Sequence, residues 1–145
     1  MWYLNCTEWI DRLHGNPEHR YHIKYAHSED GIEWDRQGHV AIDYSSDDEM
    51  AISRPSVMKI GEKWHMWYSY RTRNSTYRIG YAISENRTEW VRQDHLAGID
   101  VSNSGWDSEM IEYPFVFKHQ NQIYMLYNGN GYGESGIGLA VWRGA

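Results

Sequence analysis

Three carboxylates, Asp107, Glu109 and Glu112, stand close together in the stretch Gly105-Trp-Asp-Ser-Glu-Met-Ile-Glu-Tyr-Pro114. Neighbouring carboxyl groups can divide acid and base work when their surroundings drive their pKa values apart. Glu112, beside Tyr113 and near Trp106, is the candidate for the raised value. Asp107 and Glu109, in the adjoining loop, are the candidates for the ionised partner, and spacing alone singles out neither.

These groups need a scaffold, and the chain announces one by repetition. Tyr21–Val40 recurs as Tyr77–Leu96, with 11 identities in 20 positions at an offset of 56 residues. Ala51–Met58 lines up with Met110–Phe117, and Trp64–Ser69 with Ile123–Asn128. Ile79-Gly-Tyr-Ala82 returns as Ile137-Gly-Leu-Ala140, and Met1-Trp2-Tyr3 matches Met66-Trp67-Tyr68. A period of this length marks copies of one supersecondary unit, each needing neighbours stacked against its apolar face.

Each unit reads as β. Short runs rich in Tyr, Trp, Ile and Val suit a pleated, half-buried surface. Lys63–Tyr70 alternates, with Trp64, Met66 and Tyr68 on one face and His65, Trp67 and Ser69 on the other. Gly61-Glu62, Asp30-Gly31 and the Asn128–Gly133 cluster supply turn residues. The spacing predicts strands over Ile52–Ile60, Trp64–Tyr70 and Tyr77–Ser84, with a weak outer strand near Trp90-Val91-Arg92. Four antiparallel strands per period are the signature of a β-propeller blade. The expected fold is therefore all-β: a single domain over 1–145, forming a partial β-propeller of about two and a half blades. Its units run over about 1–49, 50–108 and 109–145. One exception is expected at Thr7–His14, where an N-cap threonine, an early acid, Gly15 and Pro17 predict a short helical insertion.

Where the copies disagree is informative. Ile52/Ile111, Pro55/Pro114 and Val57/Val116 keep their kind, but Ser53 stands opposite Glu112 and Arg54 opposite Tyr113. A repeat that holds its core and varies two inward positions is consistent with dedicating them to a ligand. An Arg54–Glu112 ion pair in the central channel is the structural alternative. Blade topology also gathers the long, irregular loops (Cys6–His19, Asp43–Met50, Arg71–Thr76, Asp100–Glu109 and Asn128–Ser135) onto one face. Variable loops on a rigid scaffold are where binding usually resides.

Composition narrows the partners. Aromatics make up 15% of the chain, with 8 Trp and 12 Tyr but 2 Phe. Side chains with an apolar body and a polar tip suit both blade packing and stacking on sugar rings. A net charge of −6 with scattered basic residues argues against nucleic acid. No stretch approaches the roughly 20 apolar residues needed to span a bilayer, so no membrane partner is expected. Cys6 is alone, which is compatible with a reducing compartment, and no signal peptide is visible, so a cytoplasmic location is expected. The sequons at Asn5, Asn74 and Asn86 carry little weight without secretion. Eight His residues show no metal-ligating spacing. No cofactor or metal is expected, although Asp47-Asp48-Glu49 could contribute ligands to a divalent ion in a central channel.

Taken together, Ser53-Arg-Pro-Ser-Val57, Met66-Trp-Tyr-Ser69, Ile79-Gly-Tyr-Ala82 and Ser28-Glu-Asp-Gly-Ile-Glu-Trp34 resemble the five-bladed propeller glycosidases of the arabinanase, β-xylosidase and levanase type. The closing stretch, Gly105–Pro114 through Tyr127-Asn-Gly-Asn-Gly131, is similar to the end of a glycosidase-like branch. The resemblance implies that Glu112 occupies the general acid's position. It also implies that Ser53-Arg54-Pro55 replaces a motif in which the better-known enzymes carry an Asp beside the Pro. Glycoside hydrolysis needs one protonated and one ionised carboxyl across the scissile bond. Arg54, Arg71 and Tyr127, with Ser53, Trp106, Tyr113 and Asn128, are then the candidates to bind sugar hydroxyls or a substrate carboxylate. The expected ligand is a carbohydrate on the channel face, hydrolysed or bound there; the alternative is a non-catalytic carbohydrate-binding or protein-interaction module that has lost its catalytic carboxylate set. A five-bladed ring takes about 300 residues at this repeat length, so a homodimer that closes the ring is expected; the alternative is a fragment of a longer gene, held together by a partner.

Overall fold

The computed structural model describes residues 1–11 and 15–143. Among them are ten strands: β1 (Trp2–Ile10), β2 (Glu18–Tyr25), β3 (Val40–Ile42), β4 (Glu49–Ile60), β5 (Lys63–Thr72), β6 (Arg78–Ser84), β7 (Val91–Arg92), β8 (Glu112–His119), β9 (Gln122–Asn128) and β10 (Ile137–Val141). Among the described residues, helical geometry is confined to two short 3-10 turns, Asp94–Leu96 and Gly131–Gly133. The strands group as three, four and three, and the fold is a partial β-propeller. β1–β2–β3 and β4–β5–β6–β7 are joined into one sheet by a single parallel contact, Tyr21 to Ala51, while β8–β9–β10 form a separate sheet.

The helical expectation at Thr7–His14 is corrected over Thr7–Ile10, where β1 continues as strand. Glu8, Trp9 and Ile10 pair with Arg20, His19 and Glu18 across a register shift after Cys6. The Thr7 hydroxyl, expected to cap a helix, bridges strands instead, bonding the Arg20 carbonyl at 3.1 Å and the Tyr44 hydroxyl at 2.7 Å. An available ladder partner outcompetes a local cap. The rest of that segment, Arg12–His14, lies outside the described residues.

Two apolar layers hold the blades together. Ile23, Ala41 and Ile42 of the first blade pack on Ile52, Met66, Tyr68 and Ala82 of the second. Trp67, Ile79 and Tyr81, on the other side of the second blade, pack on Val116, Met125 and Tyr127 of the third. Burying a side chain such as Ile52 contributes about 1.5–3 kcal/mol. The Ile-Gly-x-Ala echo has a steric cause. Gly80 pairs with Tyr68 and Gly138 with Tyr127, and each tyrosine ring lies where a Cβ would stand, at 2.3 Å and 2.4 Å. A glycine thus lets an aromatic lie flat across the neighbouring strand.

The inner strands β4 and β8 carry the same irregularity. Register slips between Ser53 and Ser56 in β4, and between Glu112 and Phe115 in β8. In each, one residue takes a left-handed backbone, Arg54 at φ 52° and Tyr113 at φ 55°. Pro55 and Pro114 follow where the ladder is interrupted, so no hydrogen bond is lost to proline. Two serines of the second blade then stitch β8 in place. Ser69 Oγ accepts the Tyr113 N–H at 2.7 Å, and Ser56 Oγ accepts the Val116 N–H at 2.8 Å. The bulge turns Ser53 and Glu112 inward, and both are buried.

Candidate functional site

The inner-strand bulge of β8 delivers Glu112 to a position with no solvent exposure, and neither carboxyl oxygen has a hydrogen-bond partner among the described residues. A desolvated carboxyl without donors resists ionisation. Burial pushes the Glu112 pKa up to about 7, against a smaller opposing pull from the Arg54 guanidinium. Left-handed, non-glycine residues cost about 1–3 kcal/mol each and gather where function requires them. Here two of them, Arg54 and Tyr113, flank the buried acid.

The alternative of an Arg54–Glu112 ion pair is not what the geometry holds. Arg54 stays exposed, and its guanidinium carbon lies 4.8 Å over the Tyr113 ring. From Tyr113 an aromatic floor extends along the loop face. The Tyr77 ring lies 6.4 Å from that of Tyr113 and 6.1 Å from that of Tyr132. The Tyr77 hydroxyl meets that of Tyr21 at 2.5 Å. Arg71 closes this end, its guanidinium carbon 5.8 Å over Tyr77 and its Nη2 donating to Glu18 at 2.6 Å. Burial raises the Tyr77 and Tyr21 hydroxyl pKa values, so both stay protonated at neutral pH.

Of the sequence candidates, Glu112, Tyr113, Arg54 and Arg71 come together on this floor. Ser53 is buried at the matching inner position of β4. Asn128 sits across the ladder from Glu112 and works by positioning: its Nδ2 donates to the Tyr132 carbonyl at 2.9 Å, fixing the loop that carries that ring. The other candidates form a second group. The Tyr127 hydroxyl donates to Asp107 at 3.1 Å, and its ring stacks on Trp106 at 5.6 Å. Burial pushes the Tyr127 pKa up to about 12, with the Asp107 hydrogen bond adding to it. Trp106 packs where Gly129 and Gly138 leave room, and its carbonyl accepts bonds from Asn130 and Ser135. This group braces the loop, and Asp107 is committed to Tyr127. Glu109 is exposed, while its backbone N–H donates to Asn130 Oδ1 at 2.8 Å and its carbonyl accepts from Thr76 and Arg78.

Within the acidic run Asp47-Asp48-Glu49, the Glu49 carboxylate is likewise engaged elsewhere. Glu49 is buried, takes a bidentate pair from Arg92 at 2.8 Å, and accepts the Ser45 N–H at 2.7 Å. Its carboxylate is therefore not open to a cation. Among the described residues, no group of three His, Cys, Asp or Glu side chains is arranged to hold a metal ion.

Sequence reasoning missed Tyr21, Tyr77, Tyr132 and Glu18. The first two carried a signal, since they open the two copies of the repeat at the same position. They read as packing residues because nothing in a repeat says which copies meet at the axis.

No family model matches the chain. Two uncharacterised proteins of Mycobacterium tuberculosis, one from each of two strains, are 44% identical to it over 141 residues. The match covers 97% of this chain and 46% of theirs, so the chain spans about half the length of the curated relatives it matches. Among solved structures, a glycoside hydrolase superposes with a TM-score of 0.69 at 20% identity, over 99% of this chain and 41% of that one. A Bombyx mori GH32 β-fructofuranosidase follows at 0.65 and 16%, over 97% and 30%. A thermostable family-43 glycoside hydrolase gives 0.62 and 19%, over 89% and 45%. The chain has the propeller fold found in glycoside hydrolases.

Proposed function

We propose that this chain binds a carbohydrate on the loop face, against Tyr113 and Tyr132, with protonated Glu112, closed over in the free chain, donating a hydrogen bond to the sugar once the side chains above it part. The observation that carries this reading is Glu112 itself: fully buried, both oxygens without a partner, and pKa raised to about 7. A buried polar group that lacks partners in the protein is unfavourable unless something else supplies them. Sugars supply hydroxyls for such a group and a flat apolar face for an aromatic. The propeller fold shared with glycoside hydrolases supports the same ligand class.

Full hydrolysis asks for a second, ionised carboxylate across the bond. Asp107 is bonded to Tyr127 and Glu109 is exposed on its loop, so neither is held beside Glu112. The reading is therefore binding, with Glu112 as proton donor, rather than turnover by this chain alone. A panel of glycans and chromogenic glycosides, read by thermal shift and product release together, tests it. The expected result is stabilisation by a glycan without product, surviving in Glu112→Gln, whose amide still donates. Release of product that disappears in Glu112→Gln would move the reading to a hydrolase. Stabilisation by no glycan would remove it.

A further inference from the structure

The two arginines of the floor are in different electrostatic situations. Arg71 is matched, with Nη2 2.6 Å from Glu18 Oε1 and both side chains largely buried. Arg54 has no hydrogen bond and no ion pair among the described residues, and it remains exposed. It is held by its backbone and by a ring: φ 52° inside the β4 bulge, and a guanidinium centred 4.8 Å over Tyr113. Stacking engages the flat face of a guanidinium and leaves its N–H edge bare. A fixed guanidinium with a free edge is one half of a bidentate carboxylate pair.

Beside it lies a carboxyl group that accepts no bond. An ionised Glu112 would repel a second anion, whereas a protonated one carries an O–H donor. One uncommitted cation next to one neutral donor suits a ligand with a single negative charge. The strain at Arg54 has the same sense. The equivalent residue of β8, Tyr113, pays the same left-handed backbone to carry an aromatic into the floor, and Arg54 pays it to carry a charge.

Resting on the reading of this face as a sugar site, we propose that its ligand is a uronic-acid sugar. Arg54 holds the sugar's carboxylate through paired N–H groups, the exposed ring of Tyr132 lies against the sugar face, and Glu112, closed over in the free chain, donates to the bound acid once the side chains above it part.

The test compares D-glucuronate and D-galacturonate with their methyl esters, with the neutral hexoses, with short oligogalacturonides and with glucose 6-phosphate. Binding is read by calorimetry and thermal shift on the whole chain. The free acids are expected to bind at least about tenfold more tightly than ester or hexose, the scale of a hydrogen bond to a charged group. Arg54→Met should erase that preference, bringing the affinity for the free acids down to that of the esters, and Arg54→Lys should fall between. The charged and titratable groups around Glu112 are Arg54 on β4 and Tyr113 on β8, with Tyr77 and Tyr132 beyond them. Binding of an acid should therefore take up a proton at pH 8 and none at pH 5. Equal binding of acid and ester, or a clear preference for the phosphate, would overturn the uronate assignment and leave the sugar site standing. No stabilisation by any of these sugars would remove both.

Discussion

The hydroxyls of Tyr21 and Tyr77 lie 2.5 Å apart although the two residues hold the same position in successive repeats, 56 residues apart. Equivalent positions of a propeller are spread around its axis, and they meet only where they project toward it. Tyr21 of β2 itself makes the single parallel bridge to β4, opposite Ala51, and Tyr77 leads into β6. With Ala51 and Met110 they form a small buried cluster at the base of the aromatic floor. This hydroxyl pair and the Glu18–Arg71 ion pair carry the first blade to the site.

Tyr77→Phe should accordingly cost more than one ordinary hydrogen bond. It leaves the Tyr21 hydroxyl buried and unpaired, a loss of about 1–3 kcal/mol. Removing both hydroxyls in Tyr21→Phe/Tyr77→Phe should recover part of that, because two apolar edges can pack where two donors cannot separate. Urea unfolding of the two single variants and the double variant checks the coupling. Strict additivity would show that the pair is not coupled in solution.

Glu112 sets a pH dependence with a definite sign. Its pKa rises from 4.5 to about 7 on folding, chiefly through burial. Below pH 4.5 the group is protonated in both states, and its contribution is fully present. Between pH 4.5 and 7 the unfolded chain ionises while the folded one holds its proton, so stability falls as pH rises. The slope is about 1.4 kcal/mol per pH unit for a single group, giving a total of about 3 kcal/mol by pH 8. Glu112→Gln should flatten this limb and be the more stable protein at pH 8. Melting temperatures of both proteins from pH 4 to pH 8 test it, and parallel curves would mean that the carboxyl is not desolvated.

The strands were legible because their cause is local. Alternation in Lys63–Tyr70 and the turn residues at Gly61-Glu62 report directly on one hairpin, and the repeat multiplied that evidence. The inner-strand divergence at Ser53-Arg54 and Glu112-Tyr113 was legible for the same reason, since the two copies are compared position by position. What the sequence did not disclose depends on distance in space. Thr7 has a cap's chemistry, but its hydroxyl is claimed by Tyr44, 37 residues away. Asp107 looked as available as any loop carboxylate until Tyr127 folded onto it. Arg54 and Glu112 read as an ion pair on the inner strands of neighbouring blades, yet Glu112 is buried without a partner and the Arg54 guanidinium lies over Tyr113 instead.

Arg92 anchors the outer strand of the second blade. Its Nη2 reaches Glu49 at 2.8 Å and Asp94 at 2.6 Å, and its Nη1 donates to the Asp43 carbonyl at 2.8 Å. Asp94 in turn accepts from the Tyr68 hydroxyl and the Tyr81 N–H. Arg92→Met would strand Glu49, 3% exposed, without its counter-ion. Breaking such a pair costs about 3–5 kcal/mol, a large share of a domain's stability. Adding Glu49→Gln should restore part of it. Denaturation curves of the single and double variants decide whether the charge, rather than the packing of the arginine stem, is responsible.

The outward face of the third blade leads to a prediction about assembly. Phe115, Leu126 and Leu139 form a cross-strand row on it, and they are 61%, 37% and 59% exposed. By the repeat alignment, Leu126 and Leu139 are the counterparts of Trp67 and Tyr81, which are 1% and 3% exposed under the next blade. The bare face therefore has the pattern of an inter-blade face, and apolar patches of this kind are rarely left in water. In a solution of this chain alone, a second copy is the partner that carries blades of matching pattern. Light scattering coupled to size exclusion is expected to show dimer growing with concentration. Leu126→Lys/Leu139→Lys should return it to monomer without changing the far-ultraviolet circular dichroism, since both side chains point away from the core. A chain that stays monomeric throughout, or a double variant that still dimerises, would place the contact elsewhere or nowhere.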